Sequence, residues 1–131
     1  LRSRHATIVV YDAHSILSRV PRLFDGELPQ FNIGTFDGAS CDVALTTAVA
    51  AACPDDSQVI NGRFKGGWIT RHYGDPAAGV HAIQMELAMR GYLDEAAPWP
   101  PDWDADRAAP LQGVVRHVLE AALAFARNSQ K

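Results

Sequence analysis

The chain has 131 residues, 47% of them hydrophobic, and a net charge of −3 at neutral pH, which suits one domain around a single core. That charge speaks against a general nucleic-acid binder, whose domains are as a rule basic, and no apolar run approaches the ~20 residues of a membrane span. Cys41 and Cys53 fall on one expected helix, roughly 18 Å apart and beyond disulfide reach, so they read as buried free thiols of a cytoplasmic protein.

The opening L-R-S-R-H reads as the polar last turn of a helix, and with it the sequence reads as a piece of something longer. Residues 6–11 are an apolar run of the kind found in strands buried on both faces of a parallel or mixed sheet. Asp12 and His14 follow, where that strand is expected to leave the sheet and where open α/β sheets place their ligand crevices. Side chains two apart in extended chain point the same way. The pair is therefore either a metal-type site, an imidazole with its orienting carboxylate, or two ordinary turn residues. Residues 16–30 have no regular period and predict a surface flap.

Residues 32–36 predict a short strand ended by the Asp37-Gly38 turn. A helix over 41–53 follows, with Ser40 as its N-cap and Pro54 as its stop. Residues 57–61 predict a second short strand, and the glycine-rich, cationic 61–67 a loop. Residues 68–73, W-I-T-R-H-Y, predict a strand. Another runs over 80–86, with Gln84 and Glu86 on one face near its carboxyl end and His81 on the other. A short helical turn is expected over 87–93. The final helix, over 104–128, buries Leu111, Val115, Val118, Leu119, Ala122 and Phe125 at helical spacing, with Pro110 marking a break or the first turn. This order of elements is that of an α/β domain.

Polar groups thus collect at the ends of separate strands, and they supply the parts of metal-assisted hydrolysis: a ligand, a base and an anion-holding cation. Glu86 fits a general base, because a carboxylate facing an apolar pocket has its pKa raised; it fits equally a glutamate at a helix start. Arg63 and Arg71 fit a bidentate carboxylate clamp, or else a solvated basic face. There is no nucleophile-elbow, P-loop, dinucleotide-binding or zincin motif.

Five segments carry a resemblance: Y-D-A-H-S at 11–15, R-V-P-R-L-F at 19–24, N-I-G-T-F-D-G-A-S-C at 32–41, N-G-R-F-K-G-G-W-I-T-R-H-Y-G at 61–74 and H-A-I-Q-M-E-L-A-M-R-G-Y at 81–92. In this order they resemble the N-formylglutamate amidohydrolases. The resemblance implies a mixed central sheet flanked by helices, like that of zinc carboxypeptidases, and zinc-dependent hydrolysis of N-formyl-L-glutamate to formate and L-glutamate in histidine degradation. His14 matches the downstream histidine ligand of the zinc, with Asp12 beside it. Glu86 matches the carboxylate that activates water and later protonates the leaving amine, and Arg63 and Arg71 are inferred to hold the substrate carboxylates. The upstream segments with the first metal histidine and an N-R substrate motif have no counterpart here. The chain therefore reads as one carboxyl-terminal half, a single partial domain over 1–131 with too few zinc ligands. Its missing half or a second copy would complete it; the alternative is a non-catalytic anion-binding module.

Overall fold

The computed structural model describes residues 1–129. Four strands, β1 (Ile8–Ile16), β2 (Phe31–Gly34), β3 (Gln58–Ile60) and β4 (Val80–Ala88), form one mixed sheet in the order β1-β4-β2-β3. β1 runs parallel to β4, β4 antiparallel to β2, and β2 parallel to β3. Helix α1 is Val43–Ala51, α2 is Trp68–Tyr73 and α3 is Ala105–Asn128.

The apolar residues decide which way the sheet faces. Phe31 and Ile33 of β2 and Ile83 and Met85 of β4 are buried with Leu45 and Val49 of α1 and Leu111, Val118 and Ala122 of α3. Val9 and Tyr11 of β1 pack against the same cluster. Alternation then turns the intervening residues to the opposite face. Buried between the apolar groups, Cys53 has its thiol pushed up to about 11 and Tyr11 its phenol to about 12. Both cysteines are free and buried.

Several expectations change in detail. β1 extends past Tyr11 to Ile16, so Asp12 and His14 lie within the strand, and β1 is half-buried because it is an edge strand. The cap of α1 is Asp42, whose carboxylate accepts from Ala44 N–H at 2.7 Å. Ser40 instead donates its hydroxyl to the Ala82 carbonyl, fastening the helix entry to β4. β4 continues to Ala88, leaving only Met89–Gly91 as a helical turn. Helix α3 runs unbroken through Pro110, capped by Asp104, whose carboxylate accepts from Arg107 N–H.

The largest correction is α2. Residues 68–73 have the composition of a strand but form a helix between two glycines, Gly67 and Gly74. Helical spacing lets Trp68 stack on His72, with ring centroids 4.1 Å apart, and turns Thr70 alone into the interior. Local i,i+4 contact and the glycine boundaries outweigh β-propensity, which depends strongly on context. Leu119, expected to be buried, is 45% exposed, and Leu123 on the same flank is 49% exposed. The sheet ends at β1 and leaves that side of α3 uncovered.

His81 joins the start of α1 to the sheet. Its Nδ1 accepts from Asp42 N–H at 3.1 Å, and its ring meets Phe125 edge-on. Burial lowers its pKa from the ordinary 6.5, while the Asp42 carboxylate partly opposes the shift. The folded chain therefore binds this proton less readily than the unfolded chain. The stability tied to neutral His81 is complete above about pH 6.5 and drains away as pH falls towards the depressed native value. Thermal melts at about pH 7.5 and about pH 5.5 should show a larger acid loss for the wild type than for His81→Asn, which keeps an acceptor near Nδ1 but cannot titrate. Equal losses in both proteins would remove His81 as the cause.

Candidate functional site

Strand register assembles the site. Asp12 lies opposite Gln84, which lies opposite Gly34; one step along, His14 lies opposite Glu86, which lies opposite Asn32. These two rows form the floor of the sheet face turned away from the apolar core. Asp12, Gln84, Glu86 and Asn32 are all buried. Polar groups are costly to bury unless they are bonded, and most of these are. Asn32 Nδ2 donates to the Pro29 and Glu86 carbonyls.

The loop over 61–67 makes the facing wall. Asn61, left-handed at φ 51°, accepts Thr35 N–H on its side-chain oxygen and donates to Thr35 Oγ1. Phe36 N–H donates to the Lys65 carbonyl at 2.6 Å. Gly67 N–H donates to Gln84 Oε1 at 2.7 Å. The chain crosses so close to β2 that a Cβ on Gly34 would stand 2.6 Å from Gly66 N and 2.8 Å from the Lys65 carbonyl carbon. Gly34 is what lets the loop lie against the floor.

Floor and wall enclose a cleft of about 470 Å³, lined by Asp12, His14, Gln84 and Glu86 below and by residues 63–69 above. His14 Nε2 is 2.8 Å from Asp12 Oδ1, with the carboxylate buried (8% exposed) and the imidazole half in solvent (47%). One ring nitrogen is thereby engaged with the carboxylate. Burial raises the pKa of Glu86, His14 opposite it draws the value back, and Asp12 pushes it up again. Such a carboxyl is poised to exchange protons with a bound water.

The expected cations separate. Arg63 lines the cleft, its Nε donating to the Leu23 carbonyl at 2.7 Å and its guanidinium lying over the Phe64 ring. No carboxylate pairs with it among the described residues, so its charge is available to an anion. Lys65 also lines the cleft but is paired with Asp37 at 3.1 Å. Arg71 is placed on α2, over the Phe36 ring, and does not line the cleft. Sequence reading overlooked the floor positions Gly34 and Asn32. The signal for them is register, since both sit opposite members of the polar face of β4.

Among the described residues no group of three or more histidine, cysteine, aspartate or glutamate side chains is placed to hold a metal ion. His14 and Asp12 are at most two donors, and a catalytic zinc takes three protein ligands. The described residues alone do not make a zinc centre. A larger groove of about 590 Å³ lies elsewhere, between α3 and the end of β4, and is lined mostly by apolar side chains, including Leu87, Tyr92, Trp103, Leu111, Leu119 and Leu123. No helix among the described residues is long and apolar enough to cross a membrane.

Comparison with known proteins points one way. A sequence model of the N-formylglutamate amidohydrolase family matches residues 1–93. An N-formylglutamate deformylase of Pseudomonas putida is 49% identical over 128 residues, which are 95% of this chain and 47% of that protein. One from Pseudomonas aeruginosa is 52% identical over 131 residues, 98% of this chain and 48% of that protein. The chain spans about half the length of these curated relatives. The crystal structure of an N-formylglutamate amidohydrolase from Ralstonia eutropha JMP134 superposes with a TM-score of 0.80 at 20% identity, covering 97% of this chain and 47% of that one. At that identity the superposition shows the shared fold.

Gly34→Ala tests the assembly of the cleft. The added methyl collides with backbone rather than with a flexible side chain, so the loop must lift. The expected cost is about 1–3 kcal/mol in urea unfolding, together with faster hydrogen exchange at the Gly67 amide as its bond to Gln84 is lost. Unchanged exchange at Gly67 would refute the close fit of loop to floor.

Proposed function

Because the chain belongs to the N-formylglutamate amidohydrolase family, we propose that its polar cleft is one wall of a site that hydrolyses the amide bond of N-formyl-L-glutamate to formate and L-glutamate, a reaction of histidine degradation. The observation that carries this reading is the meeting in one cleft of the Asp12–His14 pair, the buried Glu86 carboxyl and the carboxylate-free Arg63.

In this reading Glu86 takes a proton from the attacking water as its oxygen bonds to the formyl carbon. It returns that proton to the amide nitrogen as the carbon–nitrogen bond breaks, so that formate and the amine leave. Its raised pKa suits both steps, since a group that must accept and then donate works best near the ambient pH. Arg63 holds a substrate carboxylate, pre-positioned by the Leu23 carbonyl. Arg71, on the outer side of α2, is the weaker candidate for such a contact.

His14, with Asp12 beside it, is read as a contribution to a zinc site whose other donors come from a further polypeptide segment. Two features support this. The relatives are about twice as long as this chain, and β1, which carries the pair, has no strand on its far side among the described residues. The exposed Leu119 and Leu123 flank two grooves, one of them reaching Ile8, Val9 and Tyr11 of that strand. We read this seam as the seat of a segment equivalent to the unmatched half of the relatives. The buried free thiols suit the reducing cytoplasm.

The test is to co-express the chain with the part of the Pseudomonas putida relative that lies outside the match, then to measure zinc by mass spectrometry and formate released from N-formyl-L-glutamate. A one-to-one complex should bind zinc and release formate, and Glu86→Gln should cut the rate by roughly 10²–10⁴-fold while leaving the complex and its metal intact. Full activity in Glu86→Gln would overturn its role. Tight, metal-independent binding of glutamate with no turnover would favour a non-catalytic binding module. A homodimer with a complete metal site would place a second copy on the seam.

A further inference from the structure

Gln84 is the one floor residue whose bonding leaves a neutral donor without a partner among the described residues. It is 5% exposed, and its Oε1 accepts from Gly67 N–H at 2.7 Å. A backbone N–H can only donate, so this bond fixes which end of the amide faces the loop. The NH₂ end is turned the other way. It has no hydrogen-bond partner among the described residues and is absent from the buried unpartnered atoms, Asn32 Oδ1, Gln58 Oε1 and Thr70 Oγ1. Gln84 lines the cleft, so the cleft is where its N–H groups can meet an acceptor.

The neighbours narrow what such a donor would meet. Arg63 and Lys65 carry the full positive charges of the wall; Lys65 is paired with Asp37, which leaves Arg63 for a carboxylate. The Asp12 and Glu86 carboxylates of the floor repel any such anion. An uncharged N–H matches an uncharged oxygen, and in an N-acyl amino acid that is the acyl carbonyl. Glu86 stands two residues along the same strand face, about 7 Å away. A carbonyl oxygen seated on Gln84 would therefore set its carbon within reach of a water held by Glu86.

We propose that Gln84 is a specificity-determining residue: it donates to the acyl carbonyl oxygen, and so separates N-acyl dicarboxylic amino acids from dicarboxylates that lack the acylamino group. The proposal rests on the reading of the cleft as an N-formylglutamate site. Gln84 has two duties in it, holding the loop through its oxygen and the substrate through its nitrogen.

Calorimetric titration of the chain with N-formyl-L-glutamate and with glutarate tests it. Both ligands are dianions of similar length, and only the first has the carbonyl. The wild type should favour N-formyl-L-glutamate by roughly tenfold, the effect of one well-made hydrogen bond. Gln84→Met should bring that ratio close to one. Gln84→Glu, measured at about pH 8.5 so that the new carboxyl is ionised, keeps an acceptor for Gly67 N–H but has no donor. It should also abolish the ratio while hydrogen exchange at Gly67 stays slow. A purely structural Gln84 would weaken both ligands alike and preserve the ratio, which would overturn the proposal, as would a wild-type ratio of one. Glutarate binding that is lost in Arg63→Ala would uphold the carboxylate reading even if Gln84 fails. Binding of neither ligand by the wild type would overturn both.

Discussion

The register of β4 between β1 and β2 is the constraint on which the site depends. Period-two alternation gives each strand two faces, and a slip by one residue would exchange them. Here Val9, Tyr11, Ile33, Ile83 and Met85 must meet α1 and α3, and that demand forces Asp12, His14, Gln84 and Glu86 to the opposite face. Burial of the core thus orients the polar groups. Fully burying one Ile or Met side chain contributes about 1.5–3 kcal/mol, so several together outweigh the cost of gathering two carboxylates and two amides in the floor.

The floor and the helix beside it are not fully satisfied. Asn32 Oδ1 in the floor and Thr70 Oγ1 on α2 are buried without partners among the described residues. Phe36, where β2 turns away, is held at φ 49°, a left-handed conformation unfavourable for a bulky aromatic. Unmet polar groups and backbone strain persist where the surrounding structure over-determines them. Here the surrounding bonds are those of Asn61 to Thr35, Phe36 to Lys65 and Gly67 to Gln84. They pin the 61–67 loop to the sheet, and with it the guanidinium of Arg63.

Much of this was legible in the sequence, for identifiable reasons. Alternation at Asp12 and His14 and at Gln84 and Glu86 is local, so the faces of β1 and β4 could be read directly. Helix α3 was legible from its apolar spacing. Residues 68–73 misled because aromatic and β-branched residues favour strands only on a pleated, half-buried surface, whereas this segment is flanked by glycines and lies at the cleft rim. Arg71 was paired with Arg63 on the strength of that strand, and when the strand became a helix the two parted. Gly34 and Asn32 were beyond reach because their importance lies in the antiparallel pairing of β2 with β4, a long-range fact. Leu119 followed the helical period faithfully, but periodicity says which face is apolar and not whether anything covers it.

The uncovered flank and the polar cleft meet at one strand, β1, on its opposite faces. Exposed edge strands are ordinarily blunted by proline, by charge on the edge or by bulges. β1, I-V-V-Y-D-A-H-S-I, has no proline, and its one acidic side chain, Asp12, is turned into the floor and lies 2.8 Å from His14. Beside it α3 exposes Leu119 and Leu123. Such an edge calls for a covering segment, and any strand that paired with it would lie within a strand spacing, about 4.8 Å, of Asp12 and His14. On the proposed reading, covering the hydrophobic seam and bringing further donors to the edge that carries Asp12 and His14 would be one event.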